Sequence, residues 1–444
     1  MSTLKQNTKK PYGTLALLII AVGILLRFVY AWQVPYDVSP HDLGTLLDGS
    51  DFNPGHLGYI RYLYQHRGLP DFSPIGNEQF YHPPFFHIIG AVVLALFYDG
   101  SNLVSCFELL QYLTTAFSCV TVVYICRMVY LLIDKEAPRL FLVIFFSFCP
   151  TFYILGTMLN NDCLMTMLAT MALYYTAVWH RRPTLCNILK IAVCLGLAIF
   201  TKTNAILLSP AIGFVFASKL LQDRKNARNY LLPFALFALV CIPLGLFWLV
   251  RNYLLFDVPF NYVPKHPLDS PWCVANVSIG SRLGFPNLTQ LTNVRILESN
   301  PLKHANIWGQ TLSTMVFDEG ILVIHRKDAQ RLALLLLWGT GILSVGALVS
   351  TALLCFERRV SLQDRGLLVI SFFTVLISYI VFCFEYPHVW TMNFRYVVPT
   401  LIVGALSLGL LVERLPKGFV WAVRILTVAV SGISALLYLL CAVN

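Results

Sequence analysis

The chain has 444 residues, of which 57% are hydrophobic and only 12% charged. No soluble domain of this size buries so large an apolar fraction, and the sequence contains recurring apolar runs of roughly 20 residues, each long enough to cross a bilayer. The formal net charge of +10 does not indicate a nucleic-acid binder, because Lys and Arg gather at the ends of the apolar runs rather than on one basic face.

The pattern is that of an all-α polytopic membrane protein. A transmembrane barrel would instead alternate in segments of about 10 residues. The 12 cysteines are scattered, mostly inside apolar runs, with no CxxC pair, so neither a zinc site nor a redox pair is indicated. The basic N-terminus MSTLKQNTKK precedes an apolar run over 13–33 that is too long for a secretory signal and lacks a small-residue cleavage site. A retained first span is expected, with Lys5, Lys9 and Lys10 on the cytoplasmic side.

The polar stretch Val34–Pro84 then lies outside. Within it, Gly55–His66 sets Leu57, Ile60 and Tyr64 at i, i+3 and i+7. That predicts a short helix on the membrane with Tyr59 and Tyr62 at headgroup level. The apolar segment 85–98 is too short to span, and if it crossed, the Arg127, Lys135 and Arg139 cluster would fall outside. It reads as a second surface helix, so the first outer loop runs over 34–104. Further spans are expected near 105–126, 139–159, 163–180, 186–201, 204–221, 230–250, 332–356, 366–384, 396–412 and 419–441, about eleven in all. Arg27 and Arg424 are expected to snorkel from their spans to the interface. No internal repeat is evident. One membrane domain over 1–444 is expected, with a helical module at 13–250, a large outer loop at 251–328 and C-terminal helices at 329–444. Asn276-Val-Ser and Asn287-Leu-Thr match the glycosylation acceptor pattern.

Parity puts four polar spots on the outer side: His41-Asp42, Asn160-Asn161-Asp162, Thr201-Lys202-Thr203-Asn204 and Asn393-Phe394-Arg395-Tyr396. Ionisable groups so close to lipid are either functional or sit in the headgroup layer, and four on one face favour function. Asp42 is a candidate general base, with Asp37, Asp48 and Asp51 as rivals. His41 could orient it, share a phosphate or bind metal. Lys202 and Arg395 are candidate phosphate partners, one a point charge and the other a planar fork. Tyr396 joins that substrate-binding set. Asn161 and Asp162 could hydrogen-bond a sugar, or could simply cap the next helix. Tyr81 and His82, ahead of Pro83-Pro84, could line a sugar pocket or anchor the interface.

With HD at 41–42, the GHLGYIRYLYQHRGLPDF run, QFYHPP at 79–84, LNNDCL at 159–164, FTKTNAILLSP at 200–210, WGQTLSTMVFDEG at 308–320 and MNFRYVVPT at 392–400, the chain resembles the protein O-mannosyltransferase-like group. This is glycosyltransferase family 39 of the GT-C superfamily, in its bacterial form. The resemblance implies a GT-C-type fold, a polyprenyl-phosphate monosaccharide donor and an inverting single displacement at the outer face of a bacterial plasma membrane. It implies Asp42 as base, Lys202 and Arg395 on the departing lipid phosphate, and His41, Tyr81, His82, Asn161, Asp162 and Tyr396 around the substrates. Many relatives have two acids where this chain has His41-Asp42, which leaves a divalent metal open. The acceptor, whether protein, glycolipid or cell-wall polymer, stays open too. A transporter or flippase for a lipid-linked sugar is the alternative, weighed down by how few charges lie mid-span. A non-catalytic scaffold would leave the alignment of the four polar spots to coincidence.

Overall fold

The computed structural model describes residues 13–38, 55–286, 304–318 and 327–442; His41, Asp42, Asp48, Asp51 and the Asn287 acceptor lie outside them. Among the described residues the chain forms α1 (Thr14–Gln33), α2 (Gly55–His66), α3 (Phe85–Phe97), α4 (Leu103–Leu132), α5 (Glu136–Phe148) and α6 (Pro150–Thr157). There follow α7 (Asp162–Arg181), α8 (Leu185–Thr201), a 3-10 turn (Thr203–Leu208), α9 (Ser209–Gln222), α10 (Arg228–Phe256) and α11 (Ile279–Leu283). The remainder is α12 (Ile307–Phe317), α13 (Lys327–Leu354), α14 (Leu362–Glu385), 3-10 turns at Val389–Met392 and Phe394–Tyr396, α15 (Val398–Leu411) and α16 (Lys417–Ala442). The only extended pairing among the described residues is an isolated antiparallel bridge between Cys273 and His388.

Eight helical segments are long and apolar enough to cross a membrane, with α5–α6 and the 3-10 turn plus α9 each counted as one. The expected segments 163–180, 186–201 and 396–412 are helical as well: α7, α8 and α15 have 20, 17 and 14 residues. The helix α3, with 13 residues, is apolar but short. The protein is an integral membrane protein of all-α class.

The run expected as one span over 139–159 is two helices. Pro150 opens α6, and its ring nitrogen has no proton to continue the ladder of α5. Carbonyls left over at the end of α5 need donors, because lipid supplies none. Arg27 supplies them. Its guanidinium donates to Ser147 O at 2.9 Å, Phe146 O at 2.9 Å and Gly23 O at 2.8 Å, and lies 5.1 Å from the Tyr153 ring centre. Arg27 is only 1% exposed, so it points inward rather than snorkelling. Gly23 makes the approach feasible, since a Cβ there would sit 2.6 Å from Ser147 O. Arg424, half-buried, pairs with Glu413 near the start of its helix.

At the basic end of the bundle, α7 and α14 are joined by a polar clamp. The Asp364 carboxylate accepts from Arg181 at 2.9 and 2.7 Å, from Ser361 Oγ at 2.6 Å, and lies 2.8 Å from His180 Nε2. A two-pronged Arg–carboxylate contact of this kind fixes angle as well as distance.

At the other end, α2 packs on α3. Tyr59, Leu63, Phe80 and Trp248 form a small apolar cluster of their own. Tyr59 is fully buried, its ring centre 4.1 Å from that of His87 and 4.4 Å from that of Phe80. It therefore faces α3 instead of the headgroups. The reason is register: Tyr59 shares the helix face of His56 and Leu63, one turn away on either side. Arg251, near the end of α10, donates to Pro70 O at 2.5 Å and ties the segment between α2 and α3 to the bundle. Arg282 of α11 donates to Cys383 O at 2.5 Å and ties the stretch after α10 to α14.

Candidate functional site

Three of the four polar spots lie within the described residues, and they converge. Asn161 occupies the N-cap position of α7 but makes no side-chain cap. Its amide donates to Thr201 O at 3.1 Å, joining the start of α7 to the end of α8. Asn160 Oδ1 takes the Asp162 amide at 3.0 Å instead. Asp162 is 1% exposed, and its Oδ1 is 2.6 Å from Lys202 Nζ. Its other oxygen, Oδ2, and Asn161 Oδ1 are buried without a hydrogen-bond partner among the described residues, an arrangement that costs free energy unless another group completes it.

Lys202 sits where α8 ends, in extended backbone that turns its side chain away from the helix axis. Its ammonium lies 5.0 Å from the Tyr396 ring centre. Arg395 belongs to the short 3-10 turn before α15. Side chains help hold that turn: Asn393 Oδ1 accepts the Arg395 amide at 3.0 Å, and the Phe394 amide donates to Thr314 Oγ1 of α12 at 3.0 Å. The Arg395 guanidinium lies 5.2 Å from the Tyr396 ring centre and donates to its hydroxyl at 3.4 Å. Tyr396 is thus shared by two cations, both more than nine-tenths buried. Cation–ring contacts strengthen as water is excluded.

His82 completes the group. It is 9% exposed, with its ring 4.0 Å from that of Tyr81, whose carbonyl accepts from Trp248 Nε1 at 3.1 Å. Burial holds the His82 imidazole well below the usual histidine range; the charge of Lys202, then His56, His87 and Arg395, pushes the same way. His82 is therefore neutral at pH 7, within reach of the field of both cations. Behind it lie two histidines the sequence reading did not single out. His56 of α2 stacks on His82 at 5.7 Å and on His87 at 5.1 Å, and His56 Nδ1 shares a hydrogen bond with His87 Nε2 at 2.8 Å. Burial, then the neighbouring His56, also depresses His87. One sign was available: His87 is the single polar side chain in the helix FFHIIGAVVLALF.

Of the expected site residues, Tyr81, His82, Asn161, Asp162, Lys202, Arg395 and Tyr396 form one neighbourhood. His41 and Asp42 lie outside the described residues. Asp37 is exposed in a 3-10 turn after α1. Among the described residues no group of three or more His, Cys, Asp or Glu is placed to hold a metal ion. Chemically, among the described residues the neighbourhood brings together two buried cations, a buried carboxylate, a neutral imidazole and side-chain oxygens able to take hydroxyls, groups of the kind that bind an anion bearing hydroxyls.

Two solved structures are similar to this chain. ArnT from Cupriavidus metallidurans bound to undecaprenyl phosphate is 13% identical with a TM-score of 0.38, over 88% of this chain and 76% of that one. The same protein in the apo state is 12% identical with a TM-score of 0.39, over 94% of this chain and 77% of that one. No curated protein matches the chain. A family model described as dolichyl-phosphate-mannose-protein mannosyltransferase matches residues 81–248, which run from Tyr81 through Asp162 and Lys202 to Trp248. Over that stretch this integral membrane protein carries the pattern of the dolichyl-phosphate-mannose-protein mannosyltransferase family.

Proposed function

We propose that the chain is a glycosyltransferase that moves a monosaccharide from a polyprenyl-phosphate donor to an acceptor hydroxyl at the outer face of a bacterial plasma membrane. The observation that carries the reading is the pair of buried cations, Lys202 and Arg395, 5.0 and 5.2 Å from the Tyr396 ring centre. Lys202 lies inside the stretch that matches a family named for a lipid-phosphate sugar donor. In the reaction the acceptor oxygen attacks the anomeric carbon and the sugar–phosphate bond breaks. The lipid phosphate leaves with its electron pair, and the acceptor proton passes to the Asp42 carboxylate, oriented by His41.

Negative charge grows on the phosphate as the bond breaks, so fixed cations in a dry cavity stabilise the transition state more than the ground state. Lys202 is held by Asp162, and Arg395 is held against Tyr396, so both positive groups are fixed in place before the phosphate departs. The oxygens of Asn161 and Asp162 that lack partners among the described residues suit sugar hydroxyls, and neutral His82 can donate to a phosphate oxygen without adding a third buried cation. Tyr81 packs on His82 and Tyr396 against both cations.

The test is transfer from a panel of labelled polyprenyl-phosphate sugars by the purified protein in lipid. Arg395→Ala is expected to lower the rate by about 10²–10³-fold, the loss usual for one charge-stabilising donor. Asp42→Asn is expected to lower it by about 10²–10⁴-fold while the protein stays inserted. Wild-type rates in a folded Asp42→Asn variant would refute the base assignment, and no transfer with any donor would refute the enzyme.

A further inference from the structure

A second site of quite different chemistry lies at the basic end of the bundle. Antiparallel helices α7 and α8 leave a groove of about 680 Å³ between them, lined by Met171 and Tyr175 on one side and by Leu185, Leu189 and Val193 on the other. The spacing explains it. Met171 and Tyr175 are one turn apart on α7, and Leu185, Leu189 and Val193 are successive turns of α8, so two ridges face each other. Leu185 and Val193 are exposed, so the groove opens outward where a bilayer would touch the protein.

Its upper edge is polar and cationic. The Lys190 ammonium lies 5.2 Å from the Tyr175 ring centre, and the Arg127 guanidinium of α4 lies 4.8 Å from that of Tyr124. The two tyrosines join the two cations, their hydroxyls 2.9 Å apart. Both cations are exposed, and among the described residues neither is paired with a carboxylate. Lys190 lies five residues into α8 and Tyr175 six residues before the end of α7. That is about 8–9 Å from the helix ends at 1.5 Å per residue, the level of lipid headgroups.

We propose that this groove is a binding site for an anionic diacyl phospholipid of the surrounding membrane. Its phosphate sits between Lys190 and Arg127 and accepts from the Tyr124–Tyr175 hydroxyl pair. One acyl chain lies along Met171, Leu189 and Val193. The charge argues for this occupant: two interfacial cations, neither paired with a carboxylate among the described residues, favour an anionic headgroup over a zwitterionic one. A single-chain polyprenyl phosphate carries similar charge, and the experiment separates the two.

The protein is purified in mild detergent, and its bound lipids are read by native mass spectrometry. Phosphatidylglycerol, phosphatidylcholine and undecaprenyl phosphate are then titrated back in separate arms. Wild type is expected to retain phosphatidylglycerol and to bind it at least about 10-fold more tightly than phosphatidylcholine. Arg127→Gln with Lys190→Gln is expected to remove that preference. Val193→Trp, which fills the groove without touching a charge, is expected to weaken binding of both phospholipids. Equal binding of the two phospholipids by wild type would overturn the proposal. So would a preference unchanged in the double variant, phospholipid binding undiminished in Val193→Trp, or retention of undecaprenyl phosphate to the exclusion of phosphatidylglycerol. Should the double variant misfold, the wild-type arms and Val193→Trp still decide.

Discussion

At the scale of single residues, the ion pair between Asp162 and Lys202 has two separable consequences. Lys202→Met leaves a buried carboxylate unpaired, which is expected to destabilise the protein by about 3–5 kcal/mol. Adding Asp162→Leu removes the stranded charge, and most of that stability is expected to return while transfer stays lost. Thermal unfolding beside a transfer assay reads both; a double variant as unstable as Lys202→Met alone would count against the pairing. The histidines give a pH signature. Burial keeps His82 and His87 neutral well below their ordinary value of 6.5. The unfolded chain takes up protons near pH 6.5 and the folded one does not, so this contribution leaves stability unchanged well above that value. As pH falls through 6.5, stability declines. The melting temperature is expected to drop between pH 7.5 and 5.5, and His87→Gln is expected to flatten the drop. An unchanged slope in that variant would mean other groups set it.

At the scale of elements, the break between α5 and α6 depends on α1. The guanidinium of Arg27 serves two carbonyls across the helix interface and one on its own helix. Gly23→Val would drive a side chain into Ser147 O, which a glycine clears and a Cβ meets at 2.6 Å. A loss of about 1–3 kcal/mol is expected from the overpacking alone, measurable as a lower unfolding temperature in detergent. Gly13, with open space around it, is the control: Gly13→Val is expected to be silent. Here the limits of the sequence reading have physical causes. Pro150 was a visible stop signal inside the expected 139–159 span, but what completes the broken ladder is a residue more than a hundred positions earlier. Tyr59 was assigned to the interface because period alone fixes a helix face but not what covers it. His56, His82 and His87 meet only because α2 and α3 fold onto one another, a contact with no local trace.

At the scale of the whole molecule, length, apolar content and the placement of basic residues were enough to anticipate the all-α membrane class and most helix positions. The same charge pattern implies sidedness. Cys186 and Cys355 are exposed near the basic end, while Asn276 is exposed on the large loop. A membrane-impermeant maleimide is expected to label Asn276→Cys in intact cells and the two native thiols only after permeabilisation. Labelling in the reverse order would invert the topology and with it the proposed outer-face reaction. The site was legible where polar residues interrupt apolar ends, as at Asp162, Lys202 and Arg395. Their convergence follows from helix order, which spacing does not encode.

The fastening of Asp364 to Arg181 and His180 has a mechanical implication. Followed away from that fastening, α7 ends at Asp162, and α14 leads through two short turns to Arg395. Two stiff rods riveted at one tip thus carry the opposing jaws at the other. With α7 about 30 Å long, a change of roughly 5° in the angle that this contact fixes would shift the far tip by about 2–3 Å. Holding the angle therefore holds Asp162 and Arg395 in register at the distant end of the bundle.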